Sequence, residues 1–172
     1  MATDGFSTPR LHAERLAAEH WPDLRRMDQD EGFMRLLGGV RDEAGTRVYL
    51  EQNLKHWDDH GFGMWILRDS GTAAIIGRAI VRHLDVEGVD EVEVGYGFMP
   101  AYWGRGLATE IARACVRRGF DQLRLASLVA ITTPANLASL RVMEKAGLVY
   151  ERDIIHAGTP HRLFRTRGEP AR

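Results

Sequence analysis

VEVGYGFMPAYWGRGLATEIARACVRRGF, residues 92–120, is the stretch of the sequence that decides the fold. Apolar side chains occupy every second position over residues 92–98, which is typical of a β-strand with one buried face. Pro100 interrupts this alternation, and Gly104 and Gly106 then open a segment in which apolar residues recur three and four positions apart. The stretch therefore predicts a strand, a glycine turn and an amphipathic helix, in that order.

The beginning of the predicted helix has the properties of an anion site. The N–H groups of its first turn, those of Leu107, Ala108 and Thr109, have no helical acceptor, and the macrodipole adds partial positive charge there. A glycine at 106 removes the Cβ that would hold a phosphate away, and Arg105 adds a charge that can be aimed at the same anion. We interpret the turn as a pyrophosphate-binding site.

Two other phosphate motifs fit this turn poorly. Gly104, Gly106 and Thr109 fall one glycine short of a dinucleotide fingerprint, and the next strand ends at Ile131 without the acidic residue that such proteins place there. The turn also lacks the lysine and hydroxyl residue that end a P-loop. Neither a Rossmann dehydrogenase nor a P-loop NTPase is therefore favoured.

No metal site is predicted either. His56 and His60 have a helical spacing that can bind zinc, but Trp57 stands where a zinc protease needs glutamate, and no third ligand is evident. Cys115 is the one cysteine of the chain, which excludes an internal disulfide and a cysteine metal cluster. Its place on the apolar side of the predicted helix indicates a buried structural thiol rather than a nucleophile.

The composition is that of an ordinary globular domain. The chain has 172 residues, 44% hydrophobic and 27% charged, and a formal net charge of −1. There is thus no overall basic field to bind nucleic acid, and no apolar run long enough to span a membrane or to act as a targeting signal. We expect a cytoplasmic protein, a monomer or a homodimer, with neither nucleic acid nor membrane as its partner.

The rest of the chain shows strand and helix patterns without an internal repeat or a linker. Residues 11–18 fit a helix as well as a strand by pattern alone. The order predicted after them is one broken or two short helices over 21–37, a helix from 46 to 61, strands over 64–67, 74–84 and 91–99, the central helix, a buried strand over 125–131, a helix over 136–146, and a hairpin with strands over 148–155 and 162–166. Short links favour antiparallel neighbours, whereas the strand, helix and buried strand around the central stretch form a parallel βαβ crossover. We expect one domain over 1–172, with 1–10 and 168–172 as loose tails.

The central stretch resembles the acetyl-CoA motif of the GNAT N-acetyltransferase superfamily, Q/R-x-x-G-x-G/A, aligned on residues 103–108. Trp103 departs from the first position of that motif, and this variant is similar to the branch containing the ribosomal-protein N-terminal acetyltransferases. The segments PRLHAERLA, HWDDHGFGMWIL and NLASLRVMEKAGL resemble the same branch, in the same order. The resemblance favours the strand over 11–18. It implies a mixed α/β fold of the α+β kind, whose mostly antiparallel splayed sheet contains one parallel crossover and grips acetyl-CoA.

The resemblance also implies the reaction, which is direct attack of an amine on acetyl-CoA in a ternary complex. In the superfamily a bulge in the strand before the glycine turn frees backbone amides for the cofactor arm and the oxyanion, here at Phe98 and Met99. Gly95 and Gly97 suit such an irregular strand, or an edge strand without a ligand. The amine needs a base, and Glu93 on this strand is our candidate; it could instead be a surface carboxylate or part of a structural ion pair.

A proton donor for the departing thiolate is harder to identify. Many superfamily members have a tyrosine seven residues after the asparagine that begins the last motif, but Met143 stands there and Ser139 is the nearest substitute. Asn136 matches the cofactor-contacting asparagine of the family. Asn136 could equally be a helix N-cap, and Ser139 could bond to the backbone of its own helix.

The expected function is therefore acetyl transfer from acetyl-CoA, as co-substrate, to a primary amine of a protein N-terminus or a small molecule. Acidic residues before the fourth long strand could attract a cationic acceptor or form a solvated loop; they are Asp85, Glu87, Asp90 and Glu91. The alternative is a non-catalytic acyl-CoA-binding or interaction domain, which the absence of a tyrosine at position 143 keeps open.

Overall fold

A computed structural model describes residues 4–168 of the chain as eight strands and five α-helices. The strands are β1 (Phe6–Ser7), β2 (Leu11–Arg15), β3 (Met64–Asp69), β4 (Ile75–Val86), β5 (Val89–Phe98), β6 (Ser127–Thr132), β7 (Val149–His156) and β8 (Thr159–Arg167). The helices are α1 (Trp21–Gln29), α2 (Glu31–Met34), α3 (Glu43–His60), α4 (Leu107–Asp121) and α5 (Leu137–Lys145). This order confirms the predicted mixed α/β fold.

The eight strands form one sheet in the order β1-β2-β3-β4-β5-β6-β8-β7. Among the described residues all neighbouring strands pair antiparallel except β5 and β6, which are parallel and are joined through α4. This connection is the predicted βαβ crossover. It lies in the middle of the sheet, so it divides a five-strand half from a three-strand half.

The parallel junction is also where the sheet opens. The ladder between β4 and β5 has ten residue pairs, whereas β5 and β6 are in register at one pair, Glu93 with Val129. In the described residues no further β5–β6 pair follows Glu93, so the last residues of β5, up to Phe98, have no ladder partner in β6. The predicted splay of the sheet is therefore located at the carboxyl end of β5.

The helices cover opposite faces of the sheet. A Cβ built at Gly97 of β5 would lie 2.8 Å from Phe33 of α2, whereas one at Gly119 of α4 would lie 2.6 Å from Leu128 of β6. The sheet side of Gly97 thus faces the helices before β3, and the opposite side faces α4 and α5. The glycines permit both close approaches, and burial of the apolar surface between the layers stabilises the fold.

Several boundaries differ from the sequence predictions. Helix α3 begins at Glu43 rather than 46, because the Asp42 side chain accepts a hydrogen bond from the amide of Gly45 at 2.7 Å and caps the helix. Strands β4 and β5 extend through the predicted acidic loop to a two-residue turn, in which Glu87 and Gly88 adopt positive φ angles of 53° and 85°. Positive φ suits a tight hairpin turn, but glutamate is not a residue that signals one.

The first predicted tail, 1–10, is wrong where the structure describes it. Ser7 pairs with His12 in the short β1–β2 ladder, and Thr8 and Arg10 donate hydrogen bonds to Glu110 of α4. At the other end, the amide of Gly168 donates to a backbone oxygen at 3.0 Å. Residues 1–3 and 169–172, the remainder of the two predicted tails, lie outside the described residues.

Candidate functional site

The glycine turn before α4 leaves the helix N-terminus open. Gly104 and Gly106 have φ angles of 72° and 76°, in the left-handed region that favours glycine. Gly106 is the N-cap and so has no side chain to bond the first turn, and the first helical bond runs from Glu110 N to Gly106 O at 3.1 Å. A Cβ at Gly104 would meet no atom within 4 Å. The geometry leaves the three preceding amides directed at an open surface.

Those amides belong to Leu107, Ala108 and Thr109, the residues singled out from the sequence. The structure therefore brings the predicted phosphate-binding residues together in one turn. It fits a pyrophosphate in three respects: small residues at the approach, unpaired N–H groups and the positive end of a 15-residue helix.

Two arginines flank this turn. Arg105, predicted from the sequence, donates to the carbonyl of Ala101 at 3.0 Å and lies over the Tyr102 ring, so its charge stays beside the turn. Arg10, which the sequence analysis missed, donates from Nη1 to the Arg105 carbonyl at 2.7 Å and lies 3.5 Å from a Cβ built at Gly106. Arg10 is 95 residues away in sequence, so only the tertiary fold reveals its role.

Glu110 holds Arg10 in place. It accepts hydrogen bonds from Thr8 Oγ1 at 2.6 Å and from Arg10 Nε at 2.7 Å. Burial of the carboxyl opposes its ionisation, but these hydrogen bonds outweigh burial and keep the pKa of Glu110 below its usual value. An ionised Glu110 therefore fixes the position of the Arg10 guanidinium at the turn.

The end of β5 presents one amide to the opening in the sheet. Met99 N donates to Ile76 O at 2.8 Å, so Met99 continues the ladder with β4. Bonded residues alternate along an antiparallel ladder, and the Phe98 N–H therefore points to the other side, toward β6. The expected bulge at Phe98 and Met99 is absent, because β5 keeps an unshifted register with β4 over ten pairs. Divergence from β6, rather than a bulge, exposes the amide of Phe98.

Trp103 connects the end of β5 with the glycine turn. Its indole Nε1 donates to the Phe98 carbonyl at 2.8 Å, although the residue is 51% exposed. This contact gives the departure from Gln or Arg at position 103 a structural role. This hydrogen bond fixes the loop of Gly104 and Gly106 against the end of β5.

Glu93 lies at the point where β5 and β6 begin to separate. It is 8% exposed, and its Oε1 accepts a hydrogen bond from Arg82 Nε of β4 at 2.7 Å. Burial works against the charge of Arg82, but contacts with Tyr49 and Glu93 outweigh it and hold the Arg82 pKa above its ordinary value. The ion-pair interpretation of Glu93 thus has a geometric basis. The pair also places the carboxylate beside Gly95, where a Cβ would meet only Ile80, at 3.8 Å.

On the other face of β5, Tyr96 contacts the start of α5. Its hydroxyl lies 3.0 Å from Ser139 Oγ, and Asn136 Oδ1 accepts the Ser139 amide at 3.2 Å. Asn136 is therefore the N-cap of α5, the alternative considered from the sequence. Burial raises the pKa of Tyr96 to about 12, while the Ser139 contact lowers it, so the phenol is neutral near pH 7. Met143 is in the core at 3% exposure.

Tyr96 was not recognised in the sequence, where it counted as a buried strand residue. Helix α5 lacks the tyrosine of many superfamily members, but Tyr96 of β5 places a phenol beside Ser139, the residue suggested as its substitute. Sequence spacing gives no sign of this contact, which spans 43 positions.

Two of the four acidic residues over 85–91 are paired with arginines. Glu91 accepts both Nη groups of Arg165 at 2.6 and 2.9 Å, Glu87 pairs with Arg152, and Asp90 lies 3.0 Å from His83. Glu87 and Glu91 are therefore engaged by arginines, whereas Asp85 accepts from the amide of Gly88.

The histidine and cysteine candidates considered from the sequence are structural groups. His56 lies between the Phe62 carbonyl and the His83 amide, at 2.7 and 3.0 Å. Over residues 4–168, no cluster of three metal-ligating side chains is found. Cys115 is fully buried, and burial raises its pKa to about 12.

In the described part of the chain, no helix combines the length and the hydrophobicity needed to cross a bilayer.

Comparison with known proteins points in one direction. Residues 10–149 match the family model described as "Acetyltransferase (GNAT) domain". Protein YkkB of Bacillus subtilis, itself uncharacterised, is 33% identical over 125 residues, 73% of each chain.

Two solved structures show the same architecture. An acetyltransferase from Agrobacterium tumefaciens superposes with a TM-score of 0.85 at 24% identity, covering 98% of this chain and 96% of its own. RimL, described as a ribosomal L7/L12 α-N-protein acetyltransferase in complex with coenzyme A, superposes with a TM-score of 0.77 at 14% identity, covering 93% and 95%. At these identities the likeness establishes the fold.

Proposed function

The chain belongs to the GNAT acetyltransferase family, and from this premise we propose that it transfers the acetyl group of acetyl-CoA to a primary amine by direct attack in a ternary complex. The observation that carries the proposal is the uncapped N-terminus of α4, opened by Gly104 and Gly106 beside the gap between β5 and β6. A phosphate-binding turn and a slot for an extended cofactor arm thus adjoin each other.

Acetyl-CoA would be held by two sets of groups. The amides of Leu107, Ala108 and Thr109, together with Gly104, Gly106 and the arginines at 10 and 105, are suited to the pyrophosphate. Asn136, at the start of α5, is our candidate for the cofactor arm. The amide of Phe98 points into the opening and is suited to the oxyanion that develops on the thioester carbonyl. Met99 could contact the cofactor only through its side chain, because its amide donates to Ile76 O within the sheet.

Proton transfer would use both faces of β5. We propose that Glu93 accepts the proton of the acceptor ammonium, so that the nitrogen lone pair can form the new C–N bond. The tetrahedral adduct then loses its second nitrogen proton to water as the C–S bond breaks. The departing sulfur takes a proton from Ser139, which Tyr96 orients, and the serine regains a proton from water through Tyr96. The Tyr96–Ser139 distance of 3.0 Å supports this relay.

The test is release of free CoA, followed with a thiol reagent over a panel of small amines and N-terminal peptides. The buried Cys115 should contribute little background. We expect at least one amine class to give stoichiometric CoA and a product heavier by one acetyl group in the mass spectrum. RimL's description suggests ribosomal N-terminal peptides for the panel.

The non-catalytic alternative makes the opposite prediction. It draws support from the Arg82–Glu93 ion pair, which could be purely structural, and from Met143 in place of tyrosine. Calorimetric binding of acetyl-CoA with no CoA release from any amine would favour that alternative over the enzyme.

A further inference from the structure

Three arginines converge on one aromatic ring beside Glu93. The guanidinium carbons of Arg41, Arg78 and Arg82 lie 4.0, 5.0 and 5.6 Å from the centroid of Tyr49 in α3. Arg78 and Arg82 come from β4, and Arg41 comes from the segment between α2 and α3. The site proposed above uses the carboxylate of Glu93 but leaves this arginine cluster without a function.

The cluster carries more positive than negative charge. Asp28 Oδ1 accepts from Arg41 Nη1 at 2.9 Å and from Arg78 Nη1 at 2.7 Å, and Glu93 accepts from Arg82. Three guanidinium groups thus face two carboxylates, and the side chains of Tyr49 and Asn53 complete the surroundings. An unbalanced charge in a largely buried setting is costly, and an anionic ligand would balance it.

The excess charge is accessible. Arg78 is buried, but the side chains of Arg41 and Arg82 are each 26% exposed. Within residues 4–168, the hydrogen bonds of Arg41 engage Nη1 and leave Nε and Nη2 as donors. Planar guanidinium groups with two adjacent donor nitrogens match a carboxylate.

The location ties this charge to the reaction. Arg82 Nε and Glu93 Oε1 are 2.7 Å apart. One small acceptor molecule, in which only a few bonds separate an amine from an anionic group, could therefore place the amine at Glu93 and the anion at the arginine cluster. A Cβ at Gly95, on the same side of β5 as Glu93, would contact only Ile80, at 3.8 Å, and one at Gly97 would lie 3.3 Å from Leu37. The arginines that pair with Glu87 and Glu91 reduce the competing attraction for polycationic acceptors.

We propose that the arginine cluster is an acceptor subsite for a carboxylate, and that the preferred acceptors are free amino acids rather than polyamines or peptide N-termini. The proposal rests on the proposed acetyl transfer. It adds that the carboxylate of the acceptor is recognised by Arg41 and Arg82 while the amine lies at Glu93.

The experiment compares amino acids with the amines obtained by removing their carboxylate, such as phenylalanine with phenethylamine. We expect kcat/KM to favour the amino acid by about 10- to 100-fold, the range of one or two charge-assisted hydrogen bonds. Arg41→Gln should raise KM for the amino acid by about tenfold and leave that for the amine unchanged. Arg35→Gln, an exposed arginine six positions earlier, is the matched control for the lost charge.

A second measurement is independent of turnover. Titration of the CoA-bound protein with N-acetylphenylalanine and with N-acetylphenethylamine should show binding of the first alone, weakened in Arg41→Gln. Equal rates or equal binding for the two members of each pair would overturn the carboxylate subsite and leave acetyl transfer intact. If no amine reacts, the proposed function fails, and this titration still decides whether the carboxylate is bound. Should Arg41→Gln not fold, the wild-type comparisons carry the test.

Discussion

Glu93→Gln separates the catalytic role of Glu93 from its role in an ion pair. The substitution keeps the shape of the side chain and an oxygen for Arg82 Nε, but removes the charge from a pair at 2.7 Å. Weakening one charged hydrogen bond costs about 1.5–3 kcal/mol of unfolding free energy, and a chain of this size loses roughly 2–4 °C in Tm per kcal/mol. Loss of a general base lowers turnover by about 10²- to 10⁴-fold, or roughly 3–5 kcal/mol of barrier.

The assay measures kcat, KM and the calorimetric Kd for acetyl-CoA alongside Tm. We expect kcat to fall by the larger factor and the Kd to stay within about twofold. The matched control is Glu91→Gln. Glu91 lies on the same side of β5 and pairs with Arg165 at 2.6 Å, so it should reproduce the loss of stability without the loss of kcat.

Two results would refute the reasoning. Equal kcat values for Glu93→Gln and Glu91→Gln would assign Glu93 a structural role. A Glu93→Gln enzyme with near wild-type kcat would show that the proton leaves by another route.

Other residues of the site and of the core give three more tests. Arg10→Gln should raise the Kd for acetyl-CoA by about tenfold, because a fixed charge leaves the turn, and calorimetry on Arg113→Gln provides the control; unchanged affinity would exclude Arg10 from the cofactor site. Tyr96→Phe should lower kcat by about tenfold or more, most strongly for thioesters whose leaving thiol has a high pKa, and an equal loss for all thioesters would argue against the Tyr96–Ser139 relay. Because burial raises the Cys115 pKa from 9.0 to about 12, the folded state holds this proton more tightly than the unfolded state, and unfolding free energy should fall as pH rises from about 9 to 12. Denaturant titration should show a smaller fall for Cys115→Ala, and an identical fall would place the pH dependence elsewhere.

Local patterns were sufficient for most of the fold. Alternation along β5, the helical period of α4 and the apolar run of β6 each reflect the burial of one or both faces, so the elements and the parallel crossover could be predicted. The boundaries that failed depend on less regular signals. Asp42 acts as an N-cap without a conspicuous motif, and Glu87 occupies a left-handed turn position that the tight β4–β5 pairing imposes.

The site was predictable where one segment builds it and not where segments meet. Gly104, Gly106 and the first turn of α4 are contiguous, so their chemistry can be read from spacing. Arg10 and Tyr96 reach the site through contacts across 95 and 43 positions, which leave no trace in local periodicity. The prediction of a bulge at Phe98 and Met99 was wrong, because β5 keeps its full ladder with β4 and loses its pairing with β6 instead.

The single rung between Glu93 and Val129 has a mechanical consequence. A sheet joined over many rungs resists bending at every one of them, whereas here the three-strand arm β6, β8 and β7 is fastened to the larger half through one pair and the packing of α4. The arm can therefore change its tilt by adjusting a single joint. Such a tilt would change the width of the opening beside Phe98 and leave the ladder between β4 and β5 intact.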